Sequence, residues 1–142
     1  MPKFRCTVAI PTRELFSGEI DYAEIPGSEG SYGVLAGHQM MVTTTKPGIL
    51  TLHLDPEGHE KLEFVTNGGF AQMTGDQLLV LARMGRNVKE IDVQDAQRKL
   101  NDLNKQIEKL QSSTSETDAA VLETSLAKKS WYELQIQVGE SR

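Results

Sequence analysis

The sequence lacks several features that would place it in familiar protein classes. Cys6 is the only cysteine, so no disulfide can form within the chain. No apolar run approaches the roughly 18 residues that a membrane-spanning helix needs. The net charge is −5, without the basic face that nucleic-acid-binding proteins carry. These absences argue against a disulfide scaffold, a membrane-spanning protein and a nucleic-acid binder. The N-terminus also lacks the apolar stretch of a signal peptide, so we expect the chain to stay where it is made.

Motifs for catalysis and metal binding are also missing from the sequence. His38, His53 and His59 are not spaced as metal ligands, and no His-Glu-x-x-His pattern accompanies them. The stretch Gly27-Ser-Glu-Gly30 is only loosely similar to a phosphate loop, since neither the lysine nor the following helix is present. We therefore expect no catalytic residues, no metal and no cofactor, and a protein that is not an enzyme by itself.

What the first 87 residues do contain is a strand pattern. Phe4, Cys6 and Val8 alternate with more polar residues, which is typical of a strand with one buried face. Turn signals follow at intervals of about 8–12 residues, a spacing typical of a β-sandwich or barrel with about nine to ten short strands. We place these turns at Ser17-Gly18, Pro47-Gly48, Asp55–Gly58, Asn67–Gly69 and Gly75-Asp76.

The periodicity changes after Asn87 to that of helices. Asp92 is a natural N-cap, and Ile91 can pack onto Ala96 as a hydrophobic staple. The first helix is predicted from an apolar stripe of Val93, Ala96, Leu100, Leu103, Ile107 and Leu110. The serine-rich segment 111–115 interrupts it, and Gly139 is expected to end a second helix that begins near Thr117. The apolar face of that second helix is predicted to hold Leu122, Leu126, Ala127, Trp131, Leu134 and Val138.

Two helices joined by a short loop form an antiparallel hairpin. The fold class is therefore α+β, with strands in residues 1–87 and a helical hairpin in residues 88–142. The apolar stripes of the hairpin allow two interpretations, since they can simply pack together or belong to an element with two conformations.

Three motifs carry a resemblance to a known family. They are Arg13-Glu-Leu-Phe-Ser-Gly18, the glycine-rich stretch Ile25–His38 and Lys46-Pro-Gly48. Their order and spacing resemble those of the epsilon subunit of F-type ATP synthases. The resemblance implies a two-sheet β-sandwich that couples to the rotor, followed by a regulatory two-helix hairpin.

The resemblance also implies a function and a set of partners. Epsilon subunits belong to the central stalk, where they couple ion-driven rotor rotation to ATP synthesis and inhibit ATP hydrolysis through their C-terminal helices. The implied partners are the gamma subunit, the membrane c-ring and, in the inhibited state, the catalytic alpha and beta subunits. The implied location is peripheral, on the cytoplasmic face of a bacterial cell membrane, with a plastid thylakoid membrane as the alternative.

Candidate contact residues follow from the resemblance by position. The residues expected to face the rotor ring are Glu29, Ser31, His38, Gln39 and Met40. Two departures from the family occur here: Ser31 replaces the usual acid, and Ala36-Gly-His-Gln-Met40 replaces Pro-Gly-His-Ala-Pro. The residues expected to face gamma are Ile10, Thr12, Val42, Thr43 and Leu103.

The helices carry further candidates. The basic residues expected to contact the catalytic subunits are Arg98, Lys99, Lys105, Lys109, Lys128 and Lys129. Family members that bind ATP have an arginine where this chain has Asp95 in Ile91-Asp-Val-Gln-Asp-Ala96. Because a carboxylate repels phosphates, we expect no nucleotide binding, and Asp92 and Arg98 would contribute only if ATP binds.

A different class of protein also fits the residue pattern. A freestanding β-sandwich binding module could dimerise through its helical tail, using the stripe of the first helix. Sedimentation would distinguish the two, since an isolated epsilon subunit should be a monomer and this alternative a dimer.

Overall fold

The computed structural model describes residues 2–37 and 40–141. The chain divides into two compact units, residues 1–90 and residues 91–142. The first unit contains the strands and the second contains two helices, which confirms the predicted fold class of a β-sandwich followed by helices. The first unit ends with a short 3-10 helix, Val88–Glu90.

Eight strands are present in the described residues, rather than the predicted nine to ten. They are β1 (Phe4–Ile10), β2 (Arg13–Ile20), β3 (Tyr22–Gly27), β4 (Gly30–Val34), β5 (Met41–His53), β6 (Lys61–Thr74), β7 (Gln77–Ala82) and β8 (Gly85–Asn87). The helices are α1 (Val93–Gln111) and α2 (Glu116–Glu140).

The number of strands is lower than predicted because two of the predicted turns, Pro47-Gly48 and Asn67–Gly69, lie inside long strands. Pro47 belongs to β5 and pairs with Asn67 of β6, and the register continues unchanged on both sides of this pair. Pro47 has no N–H to donate, but it lies where the pairing of β3 with β5 is already interrupted, between Glu24 and Gly27. Gly68 and Gly69 take positive φ values of 79° and 154° within β6. These residues bend two paired strands together instead of reversing the chain.

The predicted turn at Ser17-Gly18 is also wrong. Both residues lie within β2 and pair with Thr7 and Cys6 of β1. The chain reverses instead through Pro11 and Thr12, between the paired residues Ile10 and Arg13. β2 then ends at Ile20 and β3 begins at Tyr22, with Asp21 between the two strands.

The two long strands connect the two layers of the sandwich. The second half of β6 pairs with β7, which continues through β1 to the edge strand β2. The first half of β6 pairs with β8, and the second half of β5 pairs with β3. One core of buried side chains from seven strands, β1 to β7, fills the space between the layers, including Phe4, Ile25, Val34, Leu52, Met73 and Val80.

The helical unit begins as predicted. The Asp92 side chain accepts a hydrogen bond of 3.0 Å from the backbone N–H of Asp95, which confirms Asp92 as the N-cap of α1. The buried residues of α1 are Ala96, Leu100, Leu103 and Ile107, all members of the predicted stripe. Since Gly139 near the end of α2 lies beside Ile91 and Val93, the two helices run antiparallel.

The predicted apolar face of α2 is only partly correct. Trp131 and Val138 are buried, but Leu126 is 42% exposed and Ala127 is exposed. Ser125 and Gln135 are buried instead. The helix also continues through Gly139 to Glu140, so this glycine does not end it. The buried face of α2 is the one that packs against α1, and it includes two polar residues. Periodicity alone would not predict this face.

Candidate functional site

The glycine-rich stretch begins with a tight hairpin between β3 and β4. Gly27 pairs with Gly30, and Ser28 and Glu29 form the turn between them. A Cβ on Gly27 would lie 2.7 Å from the Gly30 carbonyl oxygen, and Gly30 has a φ of 122°. Glycine is therefore required at both positions, which explains the composition that marked this stretch in the sequence.

Three of the five predicted ring-facing residues lie in the described part of the chain. Glu29 and Ser31 are exposed, and Met40 is 77% exposed. His38 and Gln39 lie outside the described residues. An open depression of about 510 Å³ adjoins the hairpin and brings Glu29 and Ser31 beside Met41 and Thr43 of β5.

Tyr32 lines the same depression from β4. Burial raises the pKa of its hydroxyl above the ordinary value, and the Thr43 hydroxyl opposes that rise. Thr43 was predicted to face gamma, but the structure places it beside Glu29 and Ser31, which were predicted to face the ring.

Val42 lies on the other face of β5, because adjacent side chains alternate along a strand. It is 71% exposed, and its pairing partner on β6 is Gln72. Phe70, which is two residues from Gln72, is 44% exposed on the same face. On β7, Leu79 pairs with Gln72 and Leu81 pairs with Phe70, and both leucines are half-buried. We call Val42, Phe70, Leu79 and Leu81 the outer apolar patch.

The other predicted gamma-facing residues belong to different elements. Ile10 ends β1 and is half-buried, and Thr12 is exposed in the turn that follows it. Leu103 belongs to the buried row of α1 and is only 8% exposed. Leu103 can therefore face a partner only if the helical unit opens. Sequence reasoning did not identify Phe70 and Leu81 as candidate contact residues. The alternating pattern of the strand puts Phe70 on the face opposite to Ala71 and Met73, and this pattern could have identified Phe70.

The predicted basic residues of the helices differ in their surroundings. Arg98 Nη2 lies 2.6 Å from Asp95 Oδ1, and Lys99 Nζ lies 3.0 Å from Asp95 Oδ2. These hydrogen bonds from Arg98 and Lys99 lower the pKa of the Asp95 carboxyl, and Asp95 raises the pKa of Arg98. The other predicted basic residues are lysines. Lys129 is half-buried, and the exposed ones are Lys105, Lys109 and Lys128.

A second open depression, of about 520 Å³, lies on the helical unit beside Ile91–Ala96, the segment that corresponds to the nucleotide motif of ATP-binding family members. Its charged residues are Arg98, Lys105, Asp102 and Glu140, two of each sign. The Asp92 side chain is occupied by its N-cap hydrogen bond. This balance of charge offers little attraction to a triphosphate.

Two further titratable groups of the sandwich, His53 and Asp55, lie in structural contacts. His53 Nε2 lies 3.2 Å from Glu24 Oε1, and its ring lies 5.1 Å from that of Tyr22. Burial pushes the pKa of Asp55 upward, but hydrogen bonds from the Glu60 and His59 backbone and the His59 charge lower it overall. Within residues 2–37 and 40–141, no three histidine, cysteine or acidic side chains are grouped to hold a metal ion.

Neither helix, over its described residues, combines the length and apolar character needed to cross a bilayer.

Comparisons with known proteins match most of the chain. The family model described as "ATP synthase, Delta/Epsilon chain, beta-sandwich domain" matches residues 3–86. An ATP synthase epsilon chain from Rhodopseudomonas palustris (strain TIE-1) is 36% identical over 107 residues, which cover 75% of this chain and 77% of that protein. An ATP synthase epsilon chain from Rhodopseudomonas palustris (strain BisB5) is 40% identical over 95 residues, which cover 67% of this chain and 68% of that protein.

Two solved structures have a similar fold. One is a chain of the Euglena gracilis mitochondrial ATP synthase OSCP/F1/c-ring structure, with a TM-score of 0.61 and 23% identity, covering 99% of this chain and 79% of that one. The other comes from the Tetrahymena thermophila mitochondrial ATP synthase central stalk and c-ring, with a TM-score of 0.56 and 12% identity, covering 97% of both chains. At these identities the likeness concerns the fold alone.

Proposed function

The chain belongs to the ATP synthase epsilon chain family, and we propose that it is a non-catalytic subunit of the central stalk of an F-type ATP synthase. In this role the sandwich joins the gamma shaft to the membrane c-ring, so that ion-driven rotation of the ring reaches the catalytic alpha and beta subunits. The helical hairpin inhibits wasteful ATP hydrolysis. Its location is peripheral, on the cytoplasmic face of a bacterial membrane.

The outer apolar patch is the observation that carries this proposal. Val42 and Phe70 are 71% and 44% exposed, and they lie on the paired strands β5 and β6 with their side chains on the same face. Apolar side chains displayed together on such a surface are typical of a protein interface. We assign this patch to gamma, together with Ile10 and Thr12. Thr43 lies on the opposite face of β5, so its assignment moves to the ring-facing depression.

The β3–β4 hairpin is our candidate for the ring contact. Glu29, Ser31 and Met40 are exposed, and the tight turn between Gly27 and Gly30 holds Glu29 at its tip. Loops held on a rigid scaffold are where binding residues concentrate. Glu29→Lys is expected to reduce ATP-driven ion pumping by the assembled complex without weakening the binding of the chain to the catalytic core. Loss of core binding instead would remove this assignment.

The inhibitory role of the hairpin requires its helices to separate. The apolar row of α1 is buried, including Leu103 at 8% exposure, so the closed hairpin offers little apolar surface to the shaft. Lys105, Lys109 and Lys128 remain exposed for contact with the catalytic subunits, whereas Arg98 and Lys99 are held by Asp95. Because this apolar row is already covered, it also gives less reason for the chain to dimerise through its tail.

We propose that ATP does not bind the hairpin. The depression beside Asp92 and Arg98 carries two cations and two anions, and Asp95 neutralises Arg98 at a distance of 2.6 Å. Titration of the full chain with ATP in a calorimeter is expected to give no heat of binding at millimolar nucleotide. A sub-millimolar Kd would contradict this part of the proposal.

The decisive experiment compares the full chain with residues 1–90, each added to an epsilon-depleted cognate catalytic core that retains gamma. Both are expected to bind, and only the full chain is expected to inhibit ATP hydrolysis. Binding without inhibition by either would leave coupling as the function. Failure of both to bind would contradict the proposal as a whole.

A matched pair of charge substitutions tests the gamma surface. Val42→Glu is expected to weaken binding to the core by about tenfold or more, because a carboxylate would be buried in an apolar interface. His59→Glu places the same group in an exposed hairpin end and should leave binding unchanged; the His59 side chain is 81% exposed. Equal affinities for the two variants would show that the outer apolar patch does not face gamma.

A further inference from the structure

Gly139 lies near the end of α2, where its backbone conformation gives no reason for glycine. It is part of the helix, and it is not among the glycines with positive φ. In a helix, glycine is less favourable than alanine because it loses more backbone freedom on folding. The feature that distinguishes this position is therefore the space around it.

That space is filled by two side chains from the beginning of the helical unit. A Cβ placed on Gly139 would lie 2.5 Å from Val93 Cγ2 and 3.0 Å from Ile91 Cγ2. Carbon atoms in contact normally lie about 3.5–4.0 Å apart. Val93 is the first residue of α1, and a β-branched side chain in a helix has essentially one χ1 rotamer, so it cannot easily turn away. The closed hairpin thus depends on the missing Cβ.

The packing of α2 is concentrated at this end. Trp131, Gln135 and Val138 are all buried in its second half. In its first half Val121 and Leu126 are 47% and 42% exposed, and only Ser125 is buried. The buried part of α2 therefore lies mainly in its second half, which ends where Gly139 meets Ile91 and Val93.

We propose that the contact of Gly139 with Val93 and Ile91 is a latch that sets the balance between the closed and open forms of the hairpin. This inference rests on the proposed inhibitory function, which it deepens by naming the contact that regulates it. Any side chain at position 139 forces the last turn of α2 away from the first turn of α1. The balance then shifts toward the open form, which is the inhibitory form in our proposal.

Trp131 provides a direct readout of the latch in the full chain. It is the only tryptophan, and it is 8% exposed in the closed hairpin. Gly139→Ala is expected to shift its emission to the red and to increase quenching by acrylamide at least twofold. Ser130→Thr adds one methyl group to an exposed position of the same helix and should change neither.

A compensating substitution separates a steric latch from general damage. Val93→Ala removes the Cγ2 atom that would clash, so the double variant Gly139→Ala/Val93→Ala is expected to recover the emission of the parent chain. An unchanged Trp131 signal in Gly139→Ala would overturn the latch. So would an exposed Trp131 that the second substitution does not restore.

Hydrolysis assays on the reconstituted complex distinguish the latch from the function on which it rests. Both proposals together predict that Gly139→Ala inhibits ATP hydrolysis more strongly than the parent chain does, and that the double variant returns to the parent level. Exposure of Trp131 without any change in hydrolysis would support the latch and contradict inhibition by the open hairpin. Stronger inhibition without exposure of Trp131 would contradict the latch alone.

Discussion

Lys3 Nζ lies 2.6 Å from Asp21 Oδ2, and the Asp21 side chain is only 4% exposed. Lys3 also donates a hydrogen bond of 2.9 Å to the carbonyl oxygen of Leu54. Asp21 stands at the bend between β2 and β3, so this ion pair joins the beginning of the chain to the bend and to the end of β5. Among described residues, no donor reaches the buried Oδ1 atom of Asp21, which makes Lys3 its principal partner.

Removing the cation from this pair should destabilise the sandwich. Lys3→Met leaves a buried carboxylate without its partner, and we expect the free energy of unfolding to fall by about 2 kcal/mol. Lys3 is 42% exposed, so the loss should be smaller than for a fully buried pair. Adding Asp21→Asn should recover part of this loss, because a neutral amide needs no cation. Urea denaturation followed by circular dichroism measures both changes, and additive effects of the two substitutions would contradict the pairing.

Gly69 should be the least replaceable glycine of the sandwich. Its φ is 154°, and a Cβ there would overlap the carbonyl oxygen of Leu81 on β7. Gly69→Ala is expected to lower the free energy of unfolding by about 3 kcal/mol or more, since both backbone strain and a backbone clash oppose it. Gly75→Ala is the control, because Gly75 has a φ of 57° but nothing within 4 Å of the added carbon. Similar melting temperatures for the two variants would disprove the role of the clash.

Cys6 should be inert in the folded protein. It is fully buried in the core, and desolvation raises the pKa of its thiol to about 12. At pH 8 the thiolate fraction is then about one part in ten thousand, and the thiolate is the reactive form. A thiol reagent such as 5,5′-dithiobis(2-nitrobenzoate) should react with one equivalent only after denaturant is added. Rapid reaction of the native chain at pH 8 would show that the β1 region opens readily.

Asp95 should make the helical unit less stable in acid. Hydrogen bonds from Arg98 and Lys99 hold its pKa below the ordinary value of 3.8. A group whose pKa is lowered by folding contributes stability above its unfolded pKa, and this contribution disappears as the pH falls through the folded pKa. Asp95→Asn should therefore weaken the hairpin at pH 7 and have no effect well below pH 3, as followed by Trp131 fluorescence in urea. The stability difference between the parent chain and Asp95→Asn at pH 7 should shrink in high salt, since Asp95, Arg98 and Lys99 are near the surface. If the substitution had the same effect at every pH, the result would contradict the ion pairs and indicate a change at the N-cap of α1 instead.

Much of this molecule was predictable because its signals are local. The first helix, its N-cap Asp92 and the buried row from Ala96 to Ile107 follow from residues within one or two turns of each other. The epsilon family was recognisable from three short motifs, and the family model and relatives confirm that resemblance. The tight hairpin at Gly27 and Gly30 also needs glycine for local reasons.

The errors arose where a distant strand or helix decided the outcome. Pro47-Gly48 and Asn67–Gly69 each have turn chemistry, but they lie opposite each other in paired strands, so they bend the strands instead of ending them. The assignment of Thr43 stays a prediction; its side chain lies on the face of β5 opposite that of Val42, because adjacent side chains alternate along a strand. Gly139 is a residue type that often ends a helix, but α2 continues through it, and the space for its Cβ is taken by Val93, which lies more than 40 residues earlier in the chain.

The sequence by itself determined the fold class, the family, the helix starts and the absence of any recognisable catalytic motif, because each of these depends on residue type at short range. Only the tertiary structure decided which side of β5 faces outward with Phe70, which face of α2 is buried, and which side chains fill the space beside position 139. Those properties depend on atoms brought together from distant parts of the chain, and the space and partners available there are set by packing.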